Sequence, residues 1–102
     1  MRHYLEIVRP DKTLGDYNEV ADIQWKLVEP VRADLIEADQ DNEFLLDGEM
    51  IIINEAYKIR FTKALKDNDA IRMDGEIYRI VSKRNVKKLN RFYLLYLVKY
   101  GG

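Results

Sequence analysis

Residues 57–62 read Tyr57-Lys58-Ile59-Arg60-Phe61-Thr62, and after a polar spacer residues 71–82 read Ile71-Arg72-Met73-Asp74-Gly75-Glu76-Ile77-Tyr78-Arg79-Ile80-Val81-Ser82. The first segment alternates strictly, so its apolar residues share one side and its polar residues the other. A period of two residues predicts a strand with one buried face. Asp74-Gly75 separates two strand-like segments, and glycine adopts the positive φ that a two-residue hairpin turn requires. This stretch therefore predicts antiparallel strands joined by a tight turn.

Strand patterns extend on both sides of this stretch. Residues 4–8 form a short apolar segment, and residues 25–36 alternate over a longer one, in which Pro30 predicts a bulge or an exposed edge. Residues 51–61 continue the alternation upstream of the quoted segment. Residues 92–100 are apolar on both faces, so the second face needs a cover from another segment or another subunit.

Together these patterns predict an all-β fold, a small antiparallel β-barrel of about six strands with long loops and little helix, in one domain spanning residues 1–102. Trp25, at an inward strand position, is interpreted as a core indole and not as a stacking platform. The predicted core consists of the inward apolar residues of the strands: Leu5, Ile7, Trp25, Leu27, Val31, Ala33, Leu35, Ile59, Phe61, Tyr78 and Ile80.

The charge is unevenly distributed along the chain. The net charge is −1, but residues 1–50 hold 5 Lys/Arg and 13 Asp/Glu, whereas residues 51–102 hold 12 Lys/Arg and 5 Asp/Glu. Two arrangements follow from this asymmetry. Faces of opposite sign fold against each other within one chain, or the acidic face of one subunit meets the basic face of the next in a ring.

Composition and motifs argue against an enzyme. His3 and Ser82 are the only His and Ser, and there is no Cys for a nucleophile, a disulfide or a thiolate metal site. The acidic segment at residues 39–43 resembles a calcium loop but has Phe44 where such a loop needs glycine. We predict no catalytic residues, no cofactor and no metal. No apolar run reaches membrane-spanning length and no secretion leader is visible, so no membrane partner is expected.

The order of the central segments resembles a known family. Ile59-Arg60-Phe61, a spacer, Ile71, Gly75 and Tyr78-Arg79-Ile80, followed by an apolar closing strand, resemble the head-completion (head-tail joining, or stopper) proteins of long-tailed bacteriophages. The resemblance implies a virion protein, assembled in the bacterial host cytoplasm, whose subunits form a dodecameric ring below the portal. Such a ring closes the DNA-filled head and provides a platform for the tail. The implied partners are portal and adaptor proteins, tail proteins and, non-specifically, the packaged DNA. A tail-completion protein or another ring component of the connector is the related alternative.

Two sets of residues are assigned roles, the first by the resemblance and the second by the charge asymmetry. In the family, the long loop between the second and third strands projects into the central channel. The matching residues here are Asp39, Gln40, Asp41, Asn42, Glu43, Phe44, Leu45 and Leu46, whose acidity would repel the DNA backbone. A surface loop without a task is the other interpretation, and a short helix over residues 43–50 is an alternative local structure. We expect residues 39–50 to be mobile in an isolated subunit.

The second set is basic and lies between the last two predicted strands. It comprises Lys83, Arg84, Lys87, Lys88 and Arg91, which are expected to contact a neighbouring subunit or DNA. The same residues, close in sequence to Tyr93 and Tyr96, support a rival function as a small OB-like or SH3-like nucleic-acid-binding barrel. In that function the cations contact phosphates and the tyrosine rings stack on bases.

Overall fold

The computed structural model describes residues 2–11 and 24–100, with the backbone alone for residues 37–41. Six strands account for most of this part of the chain. They are β1 (His3–Pro10), β2 (Trp25–Leu46), β3 (Glu49–Arg60), β4 (Ala70–Met73), β5 (Glu76–Asn85) and β6 (Phe92–Lys99), with one 3-10 turn at Val86–Lys88. The all-β prediction with about six strands is confirmed.

The strands close into a barrel. Their order is β1-β2-β3-β6-β5-β4, and β4 pairs again with β1, so every strand lies antiparallel to both of its neighbours. The predicted turn between β4 and β5 is confirmed: Asp74 has a φ of 53° and Gly75 a φ of 79°. Positive φ at both central residues is the geometry that matches the twist of paired strands.

The core lies inside the ring of strands. Leu5, Ile7, Ala33 and Ile59, all predicted, are fully buried there beside Ile71 and Leu95. Val31, Tyr78 and Ile80 pack against this cluster as half-buried residues. The predicted inward position of these seven residues is therefore confirmed, with four of them fully buried and three half-buried.

Two predicted core residues on β2 are wrong. Leu27 is 47% exposed, because a bulge opposite Ile7 and Val8 adds one residue to β2 and turns Val28 toward the core instead. Leu35 is also exposed. The ladder between β1 and β2 ends at the pair His3–Ala33, so β1 does not extend beside Leu35.

Two aromatic residues predicted for the core lie at its margin. Trp25 is half-buried outside the core cluster, with its ring 5.5 Å from that of Tyr100. Phe61 is half-buried against Tyr93, with the ring centroids 5.1 Å apart. Both rings pack edge-on or tilted, as aromatic pairs prefer, but neither is fully enclosed.

An ion pair fixes the connection between β3 and β4. The Asp69 carboxylate, only 5% exposed, accepts hydrogen bonds from Arg9 Nε (2.7 Å), Arg9 Nη2 (2.9 Å) and the backbone N–H of Lys66 (2.8 Å). The bond to Asp69 raises the pKa of the Arg9 guanidinium. Arg9 Nη2 also donates to the carbonyl of Ala64. These contacts hold the connection against the barrel, where Leu65 enters the core.

Candidate functional site

The β2–β3 hairpin continues well beyond the barrel ladders. β6 pairs with β3 only from Tyr57 onward, and β1 pairs with β2 only as far as Ala33. Residues 36–56, here called the arm, therefore pair only with each other, ending in a two-residue turn at Asp47-Gly48. The arm contains seven Asp/Glu and no Lys, Arg or His.

One face of the arm packs on its own barrel. The ring of Phe44 lies 5.1 Å from the ring of Tyr96, and Asp47 Oδ2 accepts a hydrogen bond of 2.9 Å from Arg79 Nη1. Tyr96 alternates with the inward Leu95 and so points out of the barrel, yet it is only 4% exposed. The arm thus crosses the outside of β6 and reaches β5. At Tyr96, the cover that the second face of β6 needs comes from the same chain.

The opposite face of the arm is apolar and uncovered. Leu45 is 70% exposed, Met50 60% and Ile52 62%. The register pairs Leu45 with Met50 and Glu43 with Ile52, which places these four residues on one side of the hairpin. We call this set the outer face of the arm. Three large apolar side chains on one exposed face of a hairpin are typical of an interaction surface.

The predicted channel residues lie in this arm, but their local structure differs from the expected loop. β2 extends through Leu46, and β3 begins at Glu49, so the loop and the alternative helix over residues 43–50 are both wrong. Asp39, Gln40 and Asp41 belong to the strand, in the stretch where the register of the hairpin shifts. Asp47-Gly48 carries the same turn signal as Asp74-Gly75, and this signal could have revealed the hairpin. The mobility and the channel role of these residues stay predictions.

The structure places one residue of the predicted basic set on the inner side of the barrel and the other four on the outer side. Lys83 alternates inward, with its Nζ 5.5 Å from the ring of Tyr93 and 3.7 Å from Asp67 Oδ1. Arg84 is on the outer side of β5, while Lys87, Lys88 and Arg91 are exposed in the connection between β5 and β6. None of these four outer cations forms an ion pair with an acidic residue in the described part of the chain.

Sequence reasoning missed two further cations beside this set. Lys58 of β3 and Arg84 of β5 both lie opposite Leu94 of β6, so the three residues form one row across the outer surface. Arg60 follows Lys58 by two residues on β3, so it lies on the same outer side, and it is exposed. Lys58 Nζ lies 5.0 Å from the ring of Phe92. The alternation of residues 57–62 already placed Lys58 and Arg60 outside, but only the strand order shows that β3 and β5 flank β6.

The connection between β5 and β6 is a structured turn. Asn85 Nδ2 donates to Asn90 Oδ1 (2.7 Å), and the Asn90 backbone N–H donates to Asn85 Oδ1 (3.1 Å). Lys87, Lys88 and Asn90 all have φ between 53° and 56°, a left-handed conformation that costs about 1–3 kcal/mol per non-glycine residue. Leu89 is 57% exposed among these residues. We call residues 85–91 the basic turn.

The rival nucleic-acid function gains no support from the aromatic residues. Base stacking needs an accessible ring face. Tyr93 points into the barrel and packs against Phe61, and the ring of Tyr96 lies beneath the arm. Lys83 lies 5.5 Å from the Tyr93 ring and Arg84 lies 5.9 Å from the Tyr96 ring, so cations and rings are neighbours, but neither ring presents an open face on which a base could stack.

Residues 2–11 and 24–100 contain neither a metal-binding cluster nor a membrane-spanning helix. This part of the chain contains no cluster of His, Cys, Asp or Glu that could hold a metal ion. No helix in it is long and apolar enough to cross a membrane.

The sequence model of a family described as phage head completion protein matches residues 1–100, nearly the entire chain. No curated protein matches the chain.

Proposed function

The chain belongs to the phage head completion protein family, and from this membership we propose that it forms a connector ring that closes the DNA-filled head and offers the tail a docking platform. The role of this family is structural, in the head of the phage particle. The proposed ring is dodecameric and contacts portal and adaptor proteins on one side and tail proteins on the other. It is built in the cytoplasm of the bacterial host from single-domain subunits.

The observation that carries the proposal is the arm. A hairpin with seven acidic residues and no basic residue extends beyond the ladders of a small barrel. Carboxylates repel the phosphate backbone, so a ring of such arms in the channel stops DNA without binding it. A protein that must retain a genome and later release it needs a barrier of this kind. We therefore assign the stretch that contains Asp39 and Asp41 to the channel side of the ring.

The arm also explains how a channel element can fold before assembly. A two-stranded hairpin in isolation is marginally stable in water. Here the contacts of Phe44 with Tyr96 and of Asp47 with Arg79 hold the hairpin on its own barrel. We propose that the hairpin is paired before the subunit meets its partners, and that the mobility predicted for residues 39–50 is movement of this paired hairpin against the barrel.

Two measurements on phage particles test the proposal. The connector role requires the chain to be present in purified tailed particles, and loss of its gene should leave filled heads without stable tails. Particles that lack the chain, or that attach tails equally well without it, would refute the connector role.

The channel role is tested by shortening the arm on both strands. Residues 42–53 can be removed together, because Asn42 and Ile53 face each other across the hairpin. Residues 41 and 54, which flank this pair, can then be joined directly. Because the deletion also removes the exposed apolar side chains Leu45, Met50 and Ile52, DNA retention is compared in the particles that incorporate the variant, and we expect their heads to lose DNA. A matched control, with Asp39 and Asp41 both changed to Asn, keeps the hairpin and removes two of its seven carboxylates. We expect the control to hold DNA but release it more slowly. Full DNA retention after shortening would reject the channel role and leave the connector role intact.

A further inference from the structure

Two exposed surfaces of this barrel have opposite charge and complementary composition. The outer face of the arm has an apolar centre, made of Leu45, Met50 and Ile52, within an entirely acidic hairpin. The basic turn has the opposite arrangement, because Leu89 is exposed between cations that have no acidic partner in the described residues. Each surface therefore combines exposed apolar side chains with charges of one sign. The other surface offers apolar side chains and charges of the opposite sign.

We propose that the basic turn of one subunit docks on the outer face of the arm of the next copy, head to tail. Leu89 packs against Leu45, Met50 and Ile52 of the neighbour. Lys87 and Lys88 lie against Glu43, the acidic residue of the same outer face. This contact specifies the subunit interface of the ring, and it therefore rests on the proposed function.

The charge pattern favours a second copy as the occupant. Two different patches that complement each other on one chain produce a heterologous contact, which repeats from subunit to subunit and closes into a ring when the rotation allows it. Opposite potentials across the contact steer association and fix its register. Each subunit uses both of its patches once, so the cations that form no ion pair within the described residues gain partners.

The shape of the basic turn favours a protein partner over DNA. A phosphate backbone is recognised by cations and hydrogen-bond donors, and an apolar side chain at the tip of the turn adds nothing to that contact. The left-handed residues and the reciprocal Asn85–Asn90 hydrogen bonds fix the turn before binding. A turn ordered in advance loses less conformational entropy when it docks. Strained backbone held in this way is typical of interaction sites.

Disulfide trapping tests the contact directly, because the chain has no cysteine of its own. We would make Leu45→Cys, Leu89→Cys and the double variant, assemble them into tailed particles, and oxidise the purified particles. The double variant should give a ladder of dimers and higher oligomers on a denaturing gel. Particles assembled from a mixture of the two single variants should stop at the dimer. The matched control combines Leu89→Cys with Leu27→Cys, which is exposed but lies outside the arm, and it should give no ladder.

A charge swap provides an independent readout. Lys87→Glu with Lys88→Glu should lower incorporation into particles by at least about tenfold, because like charges then face each other across the contact. Adding Glu43→Lys, on the outer face of the arm, should restore incorporation. A failure of this rescue indicates that the cations face DNA or another protein and overturns the proposal, as does the absence of a ladder in particles that contain the double-cysteine variant. If the wild-type chain itself is absent from particles, the proposed function fails instead.

Discussion

Replacing Asp69 with alanine should destabilise the barrel much more than removing a similar carboxylate at its surface. Asp69 is buried and accepts three hydrogen bonds, two from Arg9 and one from the Lys66 backbone. Hydrogen bonds to a charged group contribute about 1.5–3 kcal/mol each. The total is smaller than three such bonds, because the two from Arg9 act as one bidentate unit and the Arg9 guanidinium becomes hydrated when Asp69 is removed. We therefore expect Asp69→Ala to lower the free energy of unfolding by about 3 kcal/mol. For a domain of this size that corresponds to a fall in Tm of roughly 12–24 °C.

Glu6→Ala is the matched control. Glu6 accepts a hydrogen bond of 2.8 Å from Arg72 Nε, so the chemistry is the same, but both side chains remain partly exposed. Exposed ion pairs contribute about 0–1 kcal/mol. Urea unfolding of both variants at neutral pH, followed by the fluorescence of Trp25 and by circular dichroism, measures the difference. If Asp69→Ala costs no more than Glu6→Ala, the ion pair does not hold the β3–β4 connection, and Leu65 stays in the core for another reason.

Three further predictions concern the barrel itself. Ile59→Ala removes a fully buried side chain from the core cluster and should cost about 2–5 kcal/mol in chemical unfolding; a Tm within a degree of wild type would contradict the inward assignment of β3. Val28→Asp should destabilise by at least about 2 kcal/mol more than Leu27→Asp, since the bulge turns Val28 toward the core, and the reverse order in the same assay would show that the bulge is misplaced. Burial, together with the charge of Glu55, raises the pKa of Tyr57, so its contribution to stability is complete below pH 10 and is lost as pH rises through the folded pKa. Tyr57→Phe should therefore reduce the loss of stability above about pH 10 in urea titrations, and an unchanged pH profile would count against this burial.

The sequence by itself determined the strands and the local turns. Alternation at residues 57–62 placed Ile59 inside and Lys58 and Arg60 outside, and Asp74-Gly75 marked a turn whose two positive φ angles the structure shows. These features depend on a residue and its near neighbours, because side-chain period and turn conformation are local properties of the backbone. The order of the central segments also carried the resemblance to the family that the chain belongs to.

Only the tertiary structure decided which residues of distant segments meet. The bulge at Val28 reversed the inward assignment of Leu27, because one extra residue shifts the alternation of every residue before it. The candidate site depends even more on such pairings. The contact of Phe44 with Tyr96 and the row formed by Lys58, Leu94 and Arg84 exist because β3 and β5 both lie beside β6. Strand order is set by the closure of the whole barrel, and no short stretch of the sequence contains that information.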